Sequence, residues 1–263
     1  MKHIKQKLDS LLQDFCGKQF VQNDPLGMVK GYRTHADMEV AAFISSAFAF
    51  GNIKSILATL DKIRVVTGDS IQRFAKKYSF DKNTNLFENI RYRWITPQAI
   101  SALFYIIGRI IRKYKSIEAF FAQGKGKDLK SSIDSFCSRA LALAPDMLSV
   151  ENTRKLRYFF ASPKRGGASK RLCLFLRWVV RKSKPDIGLW TCLTPAELII
   201  PLDIHVARVA TELGLTDRKT RDWKMAVEIT EALKKFAPED PLKYDFAIHK
   251  RGFTSRSRRA RGA

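Results

Sequence analysis

The sequence predicts an all-α protein. Apolar residues recur at helical spacing along nearly the whole chain, and no segment alternates between apolar and polar residues in the manner of a half-buried strand. Glycine or proline follows several of these segments, as is usual after a helix. We therefore expect about ten helices, over residues 37–50, 53–66, 71–78, 96–114, 129–143, 150–160, 169–182, 204–213, 220–236 and 242–248.

The ends of the predicted helices support their placement in the first half of the chain. The first helix stops at Gly51, a common C-terminal cap. The fourth opens with Thr96 and Pro97, because a capping threonine followed by proline favours a helix start. The second and third are predicted by apolar periodicity alone, and the fifth and sixth end before Pro145 and Pro163.

The second half contains the clearest amphipathic helix and a break. The break is the segment 182–194, which contains proline and glycine and predicts a crossover between domains. The eighth helix follows Asp203, a typical N-cap residue, and the tenth follows Pro241. The seventh helix has a predicted packing face made of Leu172, Phe175, Leu176, Val179 and Val180.

Composition excludes several classes of protein. With 263 residues, 45% hydrophobic and 28% charged, the chain is typical of a folded soluble domain and not of a disordered, collagenous or disulfide-rich protein. Its longest apolar run, 40–50, is shorter than the roughly 20 residues of a membrane span. The four cysteines form no C-x-x-C pair, so we expect no metal, no cofactor and a reducing cytoplasm.

The charge of the chain is unusual. Lys and Arg number 48 against 25 Asp and Glu, a formal net charge of +23. Six of these basic residues lie in 249–263, which we expect to be a basic, disordered tail, and the rest of the chain still carries +17. Such a basic body favours a polyanionic partner, most often nucleic acid. An anionic membrane surface, or a generally basic proteome, remains an alternative explanation.

A glycine-rich turn joins the sixth and seventh helices. Gly166 and Gly167 allow positive φ angles and a close approach of the backbone, and Ser169 is predicted to cap the next helix. With Lys164 and Arg165, the turn and the helix start can form a cradle for phosphate. The alternative is a basic surface turn between core helices.

Two further features adjoin this turn. Lys170, Arg177 and Arg181 lie along one stripe of the seventh helix, which predicts that the cationic, DNA-binding surface continues there. Asp203 begins the eighth helix, where a helix cap is an alternative to a catalytic role.

Together these residues resemble a known superfamily. The hairpin Gly166-Gly167-Ala168-Ser169-Lys170 and the segment Leu202-Asp203-Ile204-His205-Val206-Ala207-Arg208-Val209 resemble the motifs of the helix-hairpin-helix, Gly/Pro-rich loop and Asp superfamily of DNA glycosylases. From about residue 24 to 247 the chain is similar to a bacterial family of unknown function, and the nearest characterised branch is the archaeal 8-oxoguanine glycosylases.

The resemblance implies a role for each motif residue. Lys170 is then the nucleophile that forms a Schiff base with C1′ of the sugar, aided by nearby cations that disfavour its ammonium form; the alternative is a plain phosphate contact. Asp203 stabilises the positive charge that develops at C1′, and both residues must approach the same atom. The segment Pro241-Leu242-Lys243-Tyr244-Asp245 resembles the archaeal branch, which implies that Asp245 contacts the flipped base; the alternative is a charge at a helix start. Candidate pocket walls, or alternatively core residues, are Trp94, Trp178, Trp190 and Phe246.

The resemblance also implies two helical subdomains with a cleft between them. We expect 1–35 and 185–248 to form a terminal subdomain and 36–184 a central one, with the hairpin at 151–182. The implied activity is that of a monomeric, cytoplasmic, nucleoid-associated glycosylase and AP lyase, which excises an oxidised purine such as 8-oxoguanine from double-stranded DNA. The alternatives are a non-catalytic helix-hairpin-helix nucleic-acid-binding protein and a basic all-α interaction protein.

Overall fold

The computed structural model describes residues 2–14 and 24–249. Within these residues the regular structure is entirely helical, apart from an isolated bridge between Tyr92 and Ile95, so the predicted all-α class is confirmed. The helices are α1 (Lys2–Asp14), α2 (Leu26–Val29), α3 (His35–Ala47), α4 (Ile53–Thr67), α5 (Ile71–Lys77), α6 (Phe80–Asn83), α7 (Pro97–Tyr114), α8 (Ile117–Gln123), α9 (Leu129–Leu141), α10 (Val150–Phe159), α11 (Lys170–Val180), α12 (Ile204–Glu212) and α13 (Trp223–Lys234). Short 3₁₀ helices cover Thr84–Phe87, Pro163–Arg165, Pro195–Glu197 and Pro241–Tyr244, and residues 245–249 continue the last of them as α-helix.

Polar side chains define most helix starts. The hydroxyl of Thr96 accepts a hydrogen bond from the backbone N–H of Ala99, and Pro97 is the first residue of α7, as predicted. Asp128 and Ser131 form a reciprocal capping box at the start of α9. At the starts of α3, α4, α5, α8 and α10 a single side-chain oxygen accepts a hydrogen bond from a backbone N–H, and the capping residues are Thr34, Asn52, Ser70, Ser116 and Ser149.

Helix α8 was not predicted from the sequence, and its start depends on a distant residue. The backbone N–H groups of Ile117 and Glu118 donate to the buried carboxylate of Glu39 in α3, at 2.9 and 2.8 Å. A buried carboxylate is tolerated here because it accepts hydrogen bonds from N–H groups that the helix leaves unpaired. Glu39 therefore connects two helices that are far apart in sequence.

The chain divides into two compact units. The terminal unit comprises Met1–Gln19 and Pro163–Ala263, and the central unit comprises Phe20–Ser162. In the central unit α7 packs against α5 and α10 and is buried over most of its length. In the terminal unit all five residues of the predicted packing face of α11 are buried.

The boundaries of these units differ from the predicted ones at 35/36 and 184/185. Helix α2 packs on α3, so residues from 24 onwards belong with the central unit. Helix α11 belongs with the terminal unit because Arg177 within it and Arg181 directly after it form ion pairs with Asp186, Asp240 and Asp245. The predicted hairpin at 151–182 is thus shared between the units, and its helix packing and the cleft stay predictions.

Among the described residues, no helix combines the length and the apolarity that a membrane span requires. The predicted disordered tail lies outside the described residues except for His249, which is helical.

Candidate functional site

Two helix starts meet in the terminal unit. Lys170 is the first residue of α11, and Asp203 is the N-cap of α12. The Nζ of Lys170 lies 3.1 Å from Oδ2 of Asp203, although the residues are 33 positions apart in sequence. The lysine side chain is 33% exposed and the aspartate 13%, so the pair is partly open to solvent. The structure therefore brings together the two residues that the sequence predicted to address one sugar carbon.

The two oxygens of Asp203 have different partners. Oδ1 accepts hydrogen bonds from the backbone N–H groups of His205 and Val206, at 2.8 and 2.9 Å, and so caps α12. Oδ2 faces Lys170 and also lies 3.3 Å from Nε2 of His249. The two interpretations of Asp203 are thus compatible, because one oxygen caps the helix while the other is directed at the cations.

His249 is a member of this cluster that sequence reasoning missed. It lies on the helical residues 245–249, one turn after Asp245, and its ring is 6.0 Å from that of His205. No motif marks this histidine, because the resemblance to the superfamily ends close to it. Only the helical spacing from Asp245 could have placed it near the site.

The surroundings of Asp203 keep its carboxylate ionised. Burial opposes ionisation, but the hydrogen bond from His249, the charge of Lys170 and the N–H of Val206 together hold the pKa of Asp203 far below its ordinary range. The start of α12 adds to this effect, since the positive end of a helix dipole favours an anion. The site therefore holds an ionised carboxylate beside the cationic side chain of Lys170.

The predicted phosphate cradle is an exposed turn. Lys164, Arg165, Gly166 and Gly167 are all exposed, and Gly166 has a φ of +87°, which glycine adopts readily. A Cβ added to either glycine would meet no atom within 4 Å, so close approach from outside is open at this turn. Backbone and cations are thus both accessible to an anion.

The sequence predicts that Ser169 caps α11, but its side chain does not form the capping hydrogen bond. It occupies the N-cap position of α11, but its φ of +48° is left-handed and its side chain makes no capping hydrogen bond. Residues other than glycine rarely adopt this conformation, and N-caps are usually extended. Ser169 is also 7% exposed, so a contact with DNA through its hydroxyl is not available in this conformation.

Arg177 and Arg181, which the sequence assigns to the DNA-binding surface, are buried in this structure. They are 5% and 4% exposed, and both pair with the buried carboxylate of Asp186. Arg177 also pairs with Asp245, and Arg181 makes two hydrogen bonds to Asp240 at 2.7 and 2.8 Å. Burial opposes the charge of Arg177, but Asp186 and Asp245 raise its pKa above the ordinary range. The guanidinium groups of both arginines donate to Asp186, Asp240 and Asp245, so these arginines stabilise the fold.

Asp245 is not placed to accept hydrogen bonds from a base in this conformation. It is 3% exposed and its carboxylate is paired with Arg177. Burial raises the pKa of Asp245, and the charge of Arg177 opposes that rise. Its charge also interacts with Asp203 and His249, so it contributes to the electrostatics of the cluster from within the core.

The three tryptophans that were candidate pocket walls differ in exposure. Trp178 and Trp190 are each 2% exposed and belong to the core, whereas Trp94 is 43% exposed and lies in the central unit. Within residues 2–14 and 24–249, no group of three or more histidine, cysteine or acidic side chains is arranged to hold a metal ion.

The fold and the site together define a basic, all-helical protein with a lysine–aspartate pair at two adjoining helix starts. The chain belongs to the family described as Protein of unknown function (DUF2400), whose family model matches residues 24–254. This is in keeping with the bacterial family of unknown function that the sequence resembles. No curated protein and no solved structure matches the chain significantly.

Proposed function

We propose that this protein is a DNA glycosylase with an associated β-elimination (AP lyase) activity, acting on an oxidised purine such as 8-oxoguanine. The observation that carries the proposal is the 3.1 Å contact between Lys170 and Asp203 at the starts of α11 and α12. A lysine side chain and an ionised carboxylate in contact are the two groups that attack at C1′ requires, once the lysine has lost its proton. The motif resemblance supports the same assignment.

The first step is displacement of the base. Lys170 first gives up one proton to solvent, because the ammonium group that pairs with Asp203 is not nucleophilic. The neutral Nζ then forms a bond to C1′ while the C1′–N bond breaks and its electron pair leaves with the base. The departing base takes up one proton, and the new amine loses one. Asp203 is the anion that stabilises the positive charge that builds at C1′ as the bond breaks.

The second step follows from the amine bound at C1′. The lysine nitrogen expels the ring oxygen, which is protonated, and a Schiff base forms between Lys170 and C1′. Removal of a proton from C2′ then expels the 3′ phosphate and nicks the strand, and water releases the lysine. A purely hydrolytic glycosylase needs no amine at this place, so Lys170 favours the two-step activity.

Replacing Asp203 with Asn is expected to slow base excision by about 100-fold or more, because the charge that stabilises the transition state is lost. Asparagine caps helices as well as aspartate does, so the start of α12 is expected to persist. The measurement is single-turnover excision from duplexes containing one of a panel of oxidised purines.

The matched control for this change is Asp222→Asn. Asp222 caps α13 in the same unit by accepting a hydrogen bond from the N–H of Met225, so the substitution is chemically identical but lies at another helix start. Excision by this variant should stay within about twofold of the wild-type rate. If no lesion in the panel is excised by the wild-type protein, the non-catalytic nucleic-acid binder becomes the better proposal.

DNA binding at the exposed turn gives a second prediction. Replacing Lys164 and Arg165 together with Ala should weaken binding to all duplex sequences about equally and lower the salt slope by about two, since each phosphate contact contributes about one. The measurement is a salt titration of duplex affinity by fluorescence anisotropy.

The control is the double substitution of Lys219 and Arg221 with Ala. Both residues are exposed in the same unit, and their substitution removes the same two positive charges as that of Lys164 and Arg165. Equal salt slopes for the two double variants would show that the turn between Pro163 and Lys170 is not a phosphate contact.

A further inference from the structure

The central unit has a cluster of aromatic side chains at its surface. The ring of Trp94 lies 5.3 Å from that of Phe50 and 5.1 Å from that of Tyr158, and Phe50 and Tyr158 are 4.9 Å apart. The guanidinium of Arg93 lies 4.8 Å from the centre of the Trp94 ring. We call Phe50, Trp94, Tyr158 and Arg93 the aromatic platform.

A tight turn displays two members of the platform. Tyr92 and Ile95 exchange backbone hydrogen bonds at 3.2 and 2.8 Å and are both buried, which leaves Arg93 and Trp94 exposed at the tip of the turn. Arg93 has a φ of +53°, a left-handed conformation that glycine or asparagine adopts more easily. An arginine at this position costs stability, which suggests that the side chain is needed there.

Neighbouring residues fix the turn against Phe50. The hydroxyl of Tyr92 donates a hydrogen bond to the carbonyl of Phe50. The next residue, Gly51, has a φ of +96°, and a Cβ there would lie 2.8 Å from the Tyr92 hydroxyl and 2.9 Å from a guanidinium nitrogen of Arg93. Glycine is therefore needed for the close approach that sets Arg93 over the rings.

Exposure and charge point to the chemistry of a partner. Trp94 is 43% exposed, although a tryptophan of purely structural role is usually covered. The central unit carries 22 Lys and Arg against 12 Asp and Glu, a net charge of +10. Exposed arginines adjoin the platform in sequence, at Arg91 beside the turn and at Arg154 and Arg157 on the helix that carries Tyr158.

We propose that the aromatic platform binds unpaired bases of a single-stranded nucleic acid. Aromatic rings and arginine guanidinium planes stack on bases irrespective of sequence, and the surrounding cations attract the phosphates. Bases within a blunt duplex already stack on one another and do not offer a free face, so the platform should distinguish strand from duplex. This inference is independent of the chemistry at Lys170.

Intrinsic fluorescence provides a direct readout. The other three tryptophans, Trp178, Trp190 and Trp223, are only 2%, 2% and 7% exposed, so Trp94 is the tryptophan that a bound base can reach. Oligothymidylate of about 12 nucleotides, within the usual site size of such surfaces, should quench the emission of the full-length protein. In Trp94→Phe the quenching should disappear while affinity stays within about threefold, because phenylalanine still stacks.

Loss of the ring tests the stacking itself. Trp94→Ala should weaken binding of labelled oligothymidylate about tenfold or more and change the affinity for a blunt duplex of equal length by less than about twofold. Arg93→Asn should also weaken single-strand binding, and asparagine tolerates the left-handed conformation of this position. Thermal unfolding checks that each variant is folded.

Three results would overturn the inference. The first is unchanged affinity of folded Trp94→Ala for oligothymidylate, and the second is an equal loss of affinity for strand and duplex. The third is absence of quenching of the wild-type protein by oligothymidylate at low salt, which would show that the strand does not reach Trp94.

Discussion

Replacing Lys170 with Gln is expected to abolish covalent capture of damaged DNA. Reduction with borohydride traps a Schiff base only when a primary amine has attacked C1′, and glutamine has no nucleophilic nitrogen. Strand nicking should be lost as well, by a factor of about 1,000 or more, as for removal of other covalent nucleophiles. Affinity for duplex DNA should change little, since one cation of the 48 Lys and Arg is removed.

The control for this variant is Lys219→Gln. Lys219 is an exposed lysine of the same unit and is not part of the cluster around Asp203. It should be trapped as efficiently as the wild-type protein. Nicking by Lys170→Gln at the wild-type rate would show that Lys170 is not the nucleophile.

The largest expected effect on stability comes from Arg177. Replacing it with Met should lower the free energy of unfolding by about 3–5 kcal/mol, because the buried Asp245 loses its pairing with Arg177 and the buried Asp186 loses one of its two arginines. Methionine fills a similar volume, so the loss reports the missing charge and donors rather than a cavity. Urea unfolding followed by tryptophan fluorescence and circular dichroism measures the change.

Arg218→Met provides the comparison. Arg218 forms an i,i+4 pair with Asp222 at 3.0 Å, and its side chain is 34% exposed. Partly exposed pairs of this kind contribute at most about 1 kcal/mol, so the variant should be nearly as stable as the wild-type protein. A loss for Arg177→Met no larger than that for Arg218→Met would contradict the structural role of the buried network.

Local sequence predicts helices whose ends are encoded within a few residues. Thr96 and Pro97 mark the start of α7, and Asp203 marks that of α12, because cap and helix are adjacent in sequence. Helix α8 escaped prediction because it is short and because Glu39, 78 positions before Ile117, completes its start. A capping group that arrives from another helix has no local signal.

In the candidate site, too, locally encoded features were predicted and features that depend on distant residues were not. The motifs at Lys170 and Asp203 predicted their approach, since both residues sit at helix starts that the motifs define. The stripe containing Arg177 and Arg181 was assigned to the surface, because helical periodicity shows which residues share a face but not what covers it. Asp186, Asp240 and Asp245 cover that face, and this depends on how distant segments pack.

The sequence also could not predict which charged groups lie beside Asp203 or which tryptophan is exposed. His249 contacts Asp203 from a position that no motif marks, so its part in keeping the aspartate ionised emerges only from the fold. Trp94 was one of several candidate aromatic residues, and its exposure distinguishes it from Trp178 and Trp190. Tryptophans in a sequence carry no sign of whether the fold covers them.

The most direct test of the proposed activity is to map the covalent adduct. The wild-type protein is incubated with a duplex containing an oxidised purine, reduced with borohydride, digested, and analysed by peptide mass spectrometry. We expect the sugar fragment to be attached to Nζ of Lys170. An adduct on a different lysine or on the N-terminal amine, or excision without any adduct, would contradict the assignment of Lys170 and Asp203 as the reacting pair.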